Sequence, residues 1–250
     1  MRKITFLLPA AAAAALSVSA VVPAIAQSPE PVTTISGSAK VNPNKAGTKA
    51  KPQSVKLDMK GELSTTGEDG LNKPVVQKIE ILLPKDGYYA GGKLPKGVKG
   101  KVTPKCSEAA MLDGLPVDKC PKGSIVGNGS GEAWADTVKT KVKLTLVNGG
   151  ANMIYAFTEL TNPAVVQLPV PGKIQKQSGK WGYKVTFTIP EDLQVVAGTP
   201  ISLINLKAKT TAKNYIFTTG CPKDKKWPYE VTSYQNTTAP AKFASSTPCK

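Results

Sequence analysis

Six carboxylates stand in pairs that could do chemistry. Asp113 and Asp118 lie between two cysteines, Glu132 and Asp136 follow a run of glycines, and Glu191 and Asp192 are adjacent. Two acids across one cleft can hydrolyse a glycoside, one donating a proton and the other acting as nucleophile or base. The composition removes most other catalysis. The chain has no histidine, which excludes Ser-His-Asp and Cys-His nucleophiles, histidine metal triads and histidine bases. No serine is flanked as G-x-S-x-G, and no S-x-x-K occurs. No calcium loop is present, and Thr66–Gly70 reads as a polar turn. Acids at turns and strand ends are usually solvated. The expectation is therefore no catalytic residue, no cofactor and no metal.

Cys106, Cys120, Cys221 and Cys249 are the remaining reactive groups. An even count in an exported chain reads as disulfides, and three pairings are possible. The local ones, Cys106–Cys120 and Cys221–Cys249, close short loops. A four-cysteine zinc site needs C-x-x-C-like pairs, which these spacings lack.

Behind Cys120 come Gly127, Gly129 and Gly131. A phosphate loop needs four residues between its glycines and then Lys-Ser or Lys-Thr. A dinucleotide fingerprint must open a helix. Ala133-Trp134-Ala135 instead continues an extended pattern. Glycines two apart in a strand share one face, so the stripe reads as a packing device.

These residues need a scaffold, and the period-two signal supplies it. Val138, Thr140, Val142, Leu144 and Leu146 alternate with Lys139, Lys141, Lys143 and Thr145. Asn148-Gly149-Gly150 then signals a turn, and Met153, Tyr155 and Phe157 resume beyond it. Similar alternation runs over 79–83 and 181–189, with weaker runs elsewhere. One apolar and one lysine-threonine face is what a half-solvated antiparallel sheet needs. Only 107–112 and 190–194 suggest helix, each of about one turn. The pattern predicts an all-β antiparallel β-sandwich, jelly-roll or Ig-like, with about ten strands and minimal helix. The polar stretch 42–52 reads as a long hairpin loop.

Arg2 and Lys3, an uncharged apolar run to Ala26 and the small-x-small site Ala24-Ile25-Ala26 predict a cleaved signal peptide over 1–26. Residues 27–33 read as a flexible lead-in and 34–250 as a single sandwich domain. No later run is long enough to span a bilayer. The expected location is secreted, extracellular or cell-wall associated.

The chain carries 33 Lys and Arg against 17 Asp and Glu, a formal net charge of +16. Its one arginine, Arg2, falls in the leader. Arginine supplies the planar fork that reads guanine and grips phosphate, so sequence-specific nucleic-acid binding is not expected. Lysines on a sheet face are commonly just solvated and also discourage edge pairing. The functional alternative is diffuse attraction to an anionic cell-wall polymer or glycan. Its candidate residues are Lys139, Lys141 and Lys143 on one strand face, with Lys96, Lys99 and Lys101.

The segment Asn44–Lys49 with Lys51-Pro52, Cys106 with Cys120-Pro121-Lys122-Gly123-Ser124-Ile125-Val126-Gly127-Asn128-Gly129, Asn148-Gly149, and Cys221-Pro222 with Trp227 resemble a family of exported actinobacterial proteins. The resemblance covers most of the chain after the leader. It implies export and a disulfide-bearing β fold and adds no catalytic residue. The combined expectation is a secreted, non-enzymatic protein that binds anionic envelope polymers or glycans through its lysines. The alternative is a carboxylate-based hydrolase acting on extracellular polysaccharide.

Overall fold

A computed structural model describes residues 31–66 and 73–250. The expected leader, most of the lead-in and the turn after Thr66 lie outside the described residues. The chain is all-β and antiparallel, with three short helices. β1 (Val32–Asn42) and β2 (Gln53–Thr66) form a hairpin around the polar loop. β3 (Val76–Pro84) and the short β4 (Gly87–Tyr89) follow. α1 (Glu108–Leu112) and α2 (Pro116–Lys119) come next. β5 (Ile125–Ala135), β6 (Val138–Asn148), β7 (Met153–Leu160), β8 (Val166–Lys176) and β9 (Trp181–Thr188) then run as a meander. After α3 (Glu191–Gln194) come β10 (Val195–Val196), β11 (Thr199–Thr210), β12 (Ile216–Thr218), β13 (Lys226–Gln235) and β14 (Ala241–Pro248).

The long strands follow the path β14-β13-β3-β9-β8-β7-β6-β5-β11-β2-β1. β12 and β4 extend it beside β2, and β10 pairs β11. The strand count exceeds the expected ten because β4 and β10 have only two or three residues each, too few to leave a periodic signal, and because β14, AKFASSTP, is built mostly of small and polar residues that show no apolar alternation. Inner faces from both halves of the sheet surround one apolar interior. Val142 and Leu144 of β6, Leu160 of β7 and Val170 of β8 meet Ala133 of β5 and Ile201 of β11 there.

Both disulfides form as expected. Cys106 and Cys120 have Cα atoms 5.3 Å apart, and Cys221 and Cys249 5.9 Å. The first closes a loop that carries α1 and α2. Ser107 caps α1 by accepting from the Ala110 amide at 3.3 Å. This loop packs Met111 and Cys106 onto Val147, Tyr155 and Phe157. Tyr155 and Phe157 thus occupy the outer face of β7. The inner face is Ile154, Ala156, Thr158 and Leu160. β7 is apolar on both faces because the disulfide loop roofs its outer one. Among the described residues, no helix is long and apolar enough to cross a membrane.

Candidate ligand-binding cavity

The inward side chains of the sheet leave a cavity of about 240 Å³ between them. Among the described residues, no charged one lines it. β3 contributes Ile79 and Ile81, β9 contributes Val185 and Phe187, and β11 contributes Leu203 and Leu206. The alternation that built these strands for burial also made the lining apolar.

Four lining residues carry hydroxyls, and each has a partner that occupies it. Thr158 Oγ1 donates to the Ala156 carbonyl at 3.1 Å. Thr210 Oγ1 accepts from the Leu57 amide at 2.8 Å. Tyr215 donates to Tyr89 Oη at 3.1 Å, and Tyr89 Oη lies 2.8 Å from the carbonyl oxygens of Gly150 and Met153. The two rings meet edge to face with centroids 5.2 Å apart. Burial pushes the Tyr89 hydroxyl up to about 12, against the lowering pull of its bond to Tyr215. Burial, and then the neighbouring Tyr89, raise Tyr215 further. Both phenols stay neutral, and the lining offers almost nothing to water. A buried water needs two to four polar partners.

The glycine stripe belongs to this wall. Gly127, Gly129 and Gly131 face Thr210, Ala208 and Leu206 across β5 and β11. A Cβ on any of them would press on a β11 carbonyl oxygen, that of Lys209, Lys207 or Asn205 respectively. Leu144 Cδ1 lies 3.2 Å from the Cβ position of Gly129, and Leu206 Cδ1 3.0 Å from that of Gly131. The stripe lets β11 approach β5 closely while neighbouring leucines lean across it, so the packing reading stands.

The candidate acids do not reach the cavity. Asp113 forms an exposed 2.6 Å ion pair with Lys119, whose hydrogen bond and charge lower its pKa. Glu132 is on the outer face of β5 and accepts from Asn205 Nδ2 at 3.0 Å. Asp136 occupies the left-handed position (φ 55°) of the β5–β6 turn. Glu191 and Asp192 open the first turn of α3, and Asp118 lies in α2.

The lysines have local company. Lys143 pairs with Glu159 at 2.9 Å. Lys141 stands opposite Glu132 in the β5–β6 ladder. Lys139 lies 5.0 Å from the Trp134 ring centroid. Lys96, Lys99 and Lys101 sit elsewhere, on a segment tied to the far end of β6. There the buried Asn148 donates through Nδ2 to the carbonyls of Gly91 at 2.9 Å and Thr103 at 2.8 Å. Nine residue steps along β6 separate Lys139 from Asn148, about 30 Å at the usual rise. The two lysine groups do not form one patch. The outer face also holds a juxtaposition that one-dimensional reading missed: Lys60 of β2 and Lys207 of β11 are direct ladder partners.

The cavity too was hidden in the sequence. Its best trace is 153–160, where both parities are apolar, as expected of a strand covered on both faces. No family model matches the chain, and no curated protein matches it by sequence.

Proposed function

We propose that this is an extracellular, non-enzymatic binding protein that holds an apolar ligand inside its curved sheet. The observation that carries this reading is the cavity of about 240 Å³ with no charged lining. Protein interiors are normally close-packed, with few voids larger than a water. At about 24 cal/mol per Å³, an unfilled space of this size would cost about 6 kcal/mol. Whole domains are stable by only about 5–15 kcal/mol. An engineered apolar cavity of about 150 Å³ binds benzene, so this one suits something larger. Each methylene taken from water contributes about 0.8 kcal/mol. Two disulfides support an oxidising location.

The test is binding of N-phenyl-1-naphthylamine, an uncharged probe that brightens out of water. Wild-type protein should bind it saturably. Ala156→Leu puts a larger side chain into the cavity and should abolish binding, while Lys141→Gln on the outer face should not. Absence of probe binding to folded wild-type protein would refute the reading.

The opposed Lys60 and Lys207 favour a second reading, attraction of an anionic wall polymer or glycan to the outer face. Like charges directly opposite in a ladder repel, and a polyanion relieves that repulsion. Changing Lys60 and Lys207 to Gln should then weaken retention on teichoic-acid-coated beads and flatten its salt dependence. Salt-independent retention would remove this second reading and leave the first intact.

A further inference from the structure

Around the sheet, neighbouring long strands are joined by ladders until the path reaches its two ends. β1 and β14 lie against each other there without pairing. The path contains an odd number of antiparallel strands, so these two edges run parallel and cannot complete the antiparallel pattern. Among the described residues, hydrogen bonds stitch them only at their ends. Thr33 Oγ1 meets Thr238 Oγ1 at 2.8 Å at one end. At the other, the Ala46 amide donates to the Lys250 carbonyl at 2.7 Å and the Lys250 amide to the Asn44 carbonyl at 2.9 Å. The Cys221–Cys249 disulfide holds the chain beside that second stitch.

An apolar annex of about 90 Å³ lies behind this seam, lined by Ala39 and Val41 of β1, Tyr229 of β13 and Thr247 of β14 among others. Leu57, Met59, Leu83 and Ile216 line both the annex and the central cavity. The apolar space is therefore elongated and reaches from the middle of the molecule to the unladdered seam. A flexible chain can follow two chambers divided by movable side chains, whereas a rigid ring system fits only one. Opening any laddered strand pair breaks a row of backbone hydrogen bonds, but opening the seam breaks only stitches.

Building on the cavity reading above, we propose that the ligand carries a single flexible hydrocarbon chain, which enters between β1 and β14 and runs through the annex into the central cavity. Affinity then rises about fourfold per methylene until the two chambers are full.

The seam is tested with Thr33→Cys/Thr238→Cys, which puts thiols where two hydroxyls already touch. Stopped-flow uptake of N-phenyl-1-naphthylamine should be at least tenfold slower in the oxidised double variant and recover on reduction. Wild-type protein under the same treatment controls for the native disulfides. Thr238→Val, which removes the stitch without a cross-link, should speed uptake. Rates equal in the oxidised and reduced double variant and unchanged in Thr238→Val would overturn the seam as the way in.

The chain path is tested by displacing the probe with saturated fatty acids of increasing length. A parallel lysophosphatidylcholine series separates a free carboxylate from a lipid headgroup. Ala39→Met fills the annex and should weaken the longest chains at least tenfold while sparing the shortest. Equal effects on all lengths, or none, would overturn the path. Failure of wild-type protein to bind the probe at all would instead sink the cavity reading itself.

Discussion

Gly129 of β5 and Lys207 of β11 are packed so closely that a Cβ on the glycine would press on the lysine's carbonyl oxygen. The obstacle is main chain, which cannot swing away as a side chain can. Gly129→Ala should therefore destabilise the fold by about 1–3 kcal/mol, the usual range for overpacking. Gly129→Val should cost more, because Leu144 Cδ1 already lies 3.2 Å from the Cβ position and two further methyl groups must fit beside it. Gly61 is the comparison: its Cβ would meet nothing closer than the Ser36 carbonyl at 3.9 Å. Gly61→Ala should be nearly neutral. Urea midpoints for the three variants check this, and equal midpoints for Gly129→Ala and Gly61→Ala would contradict it.

Asn148 holds a long segment to the end of β6. It is fully buried, and its Nδ2 reaches the carbonyls of Gly91, Thr103 and Pro104. Its Oδ1 accepts from the Gly150 amide at 3.1 Å. Asn148→Leu fills similar volume but strands these buried groups, at about 1–3 kcal/mol for each one left unmet. The expected outcome is loss of stability together with faster proteolysis within 91–105. Protease resistance equal to wild type would contradict the tether.

The all-β class, both disulfides and most strand positions were legible because they rest on local signals. Val142, Leu144 and Leu146 alternate with lysines, and Cys106 and Cys120 are close in sequence. The cavity was not legible, since it arises where β3 and β9 face β5 and β11 across the interior, and alternation gives a face without its partner. β7 shows the same limit. Tyr155 and Phe157 satisfy the pattern of a core face, yet they lie on the outer face, where the disulfide loop covers them. The Lys60–Lys207 opposition needs a register between two residues 147 positions apart in sequence. The β1–β14 seam needs the full strand order, which no single segment contains.

Disulfide mapping gives a direct prediction. Non-reducing peptide maps should link Cys106 to Cys120 and Cys221 to Cys249, and thiol labelling should find no free cysteine. The pair Cys221–Cys249 closes a loop with a sequence separation of 28. Replacing both by Ser should cost about 3–4 kcal/mol in the chain-entropy account. The variant should also lose the order of the nearby seam stitch, seen as faster amide exchange at Ala46 and Lys250. Unchanged exchange at those two amides would show that the stitch holds without the disulfide.

Alkaline stability follows from the two phenols at the cavity wall. An unfolded tyrosine ionises near pH 10, and Tyr89 in the folded chain is raised to about 12 by burial. Tyr215 is raised in the same direction. Below pH 10 the phenols are protonated in both states and add no pH dependence. Above pH 10 the unfolded chain releases protons that the folded chain still holds, so folding stability falls as pH rises. For Tyr89 the window runs from pH 10 to about 12, and its full loss is on the order of 3 kcal/mol. The urea midpoint should thus be flat from about pH 8 to 10 and then decline. Tyr89→Phe and Tyr215→Phe should each start from lower stability, having lost a buried hydrogen bond, but decline less steeply. A residual slope should remain from Tyr155 and Tyr183, which burial also raises. Wild-type and variant curves with the same slope above pH 10 would show that these phenols ionise as freely folded as unfolded, and that the wall they form is open to water.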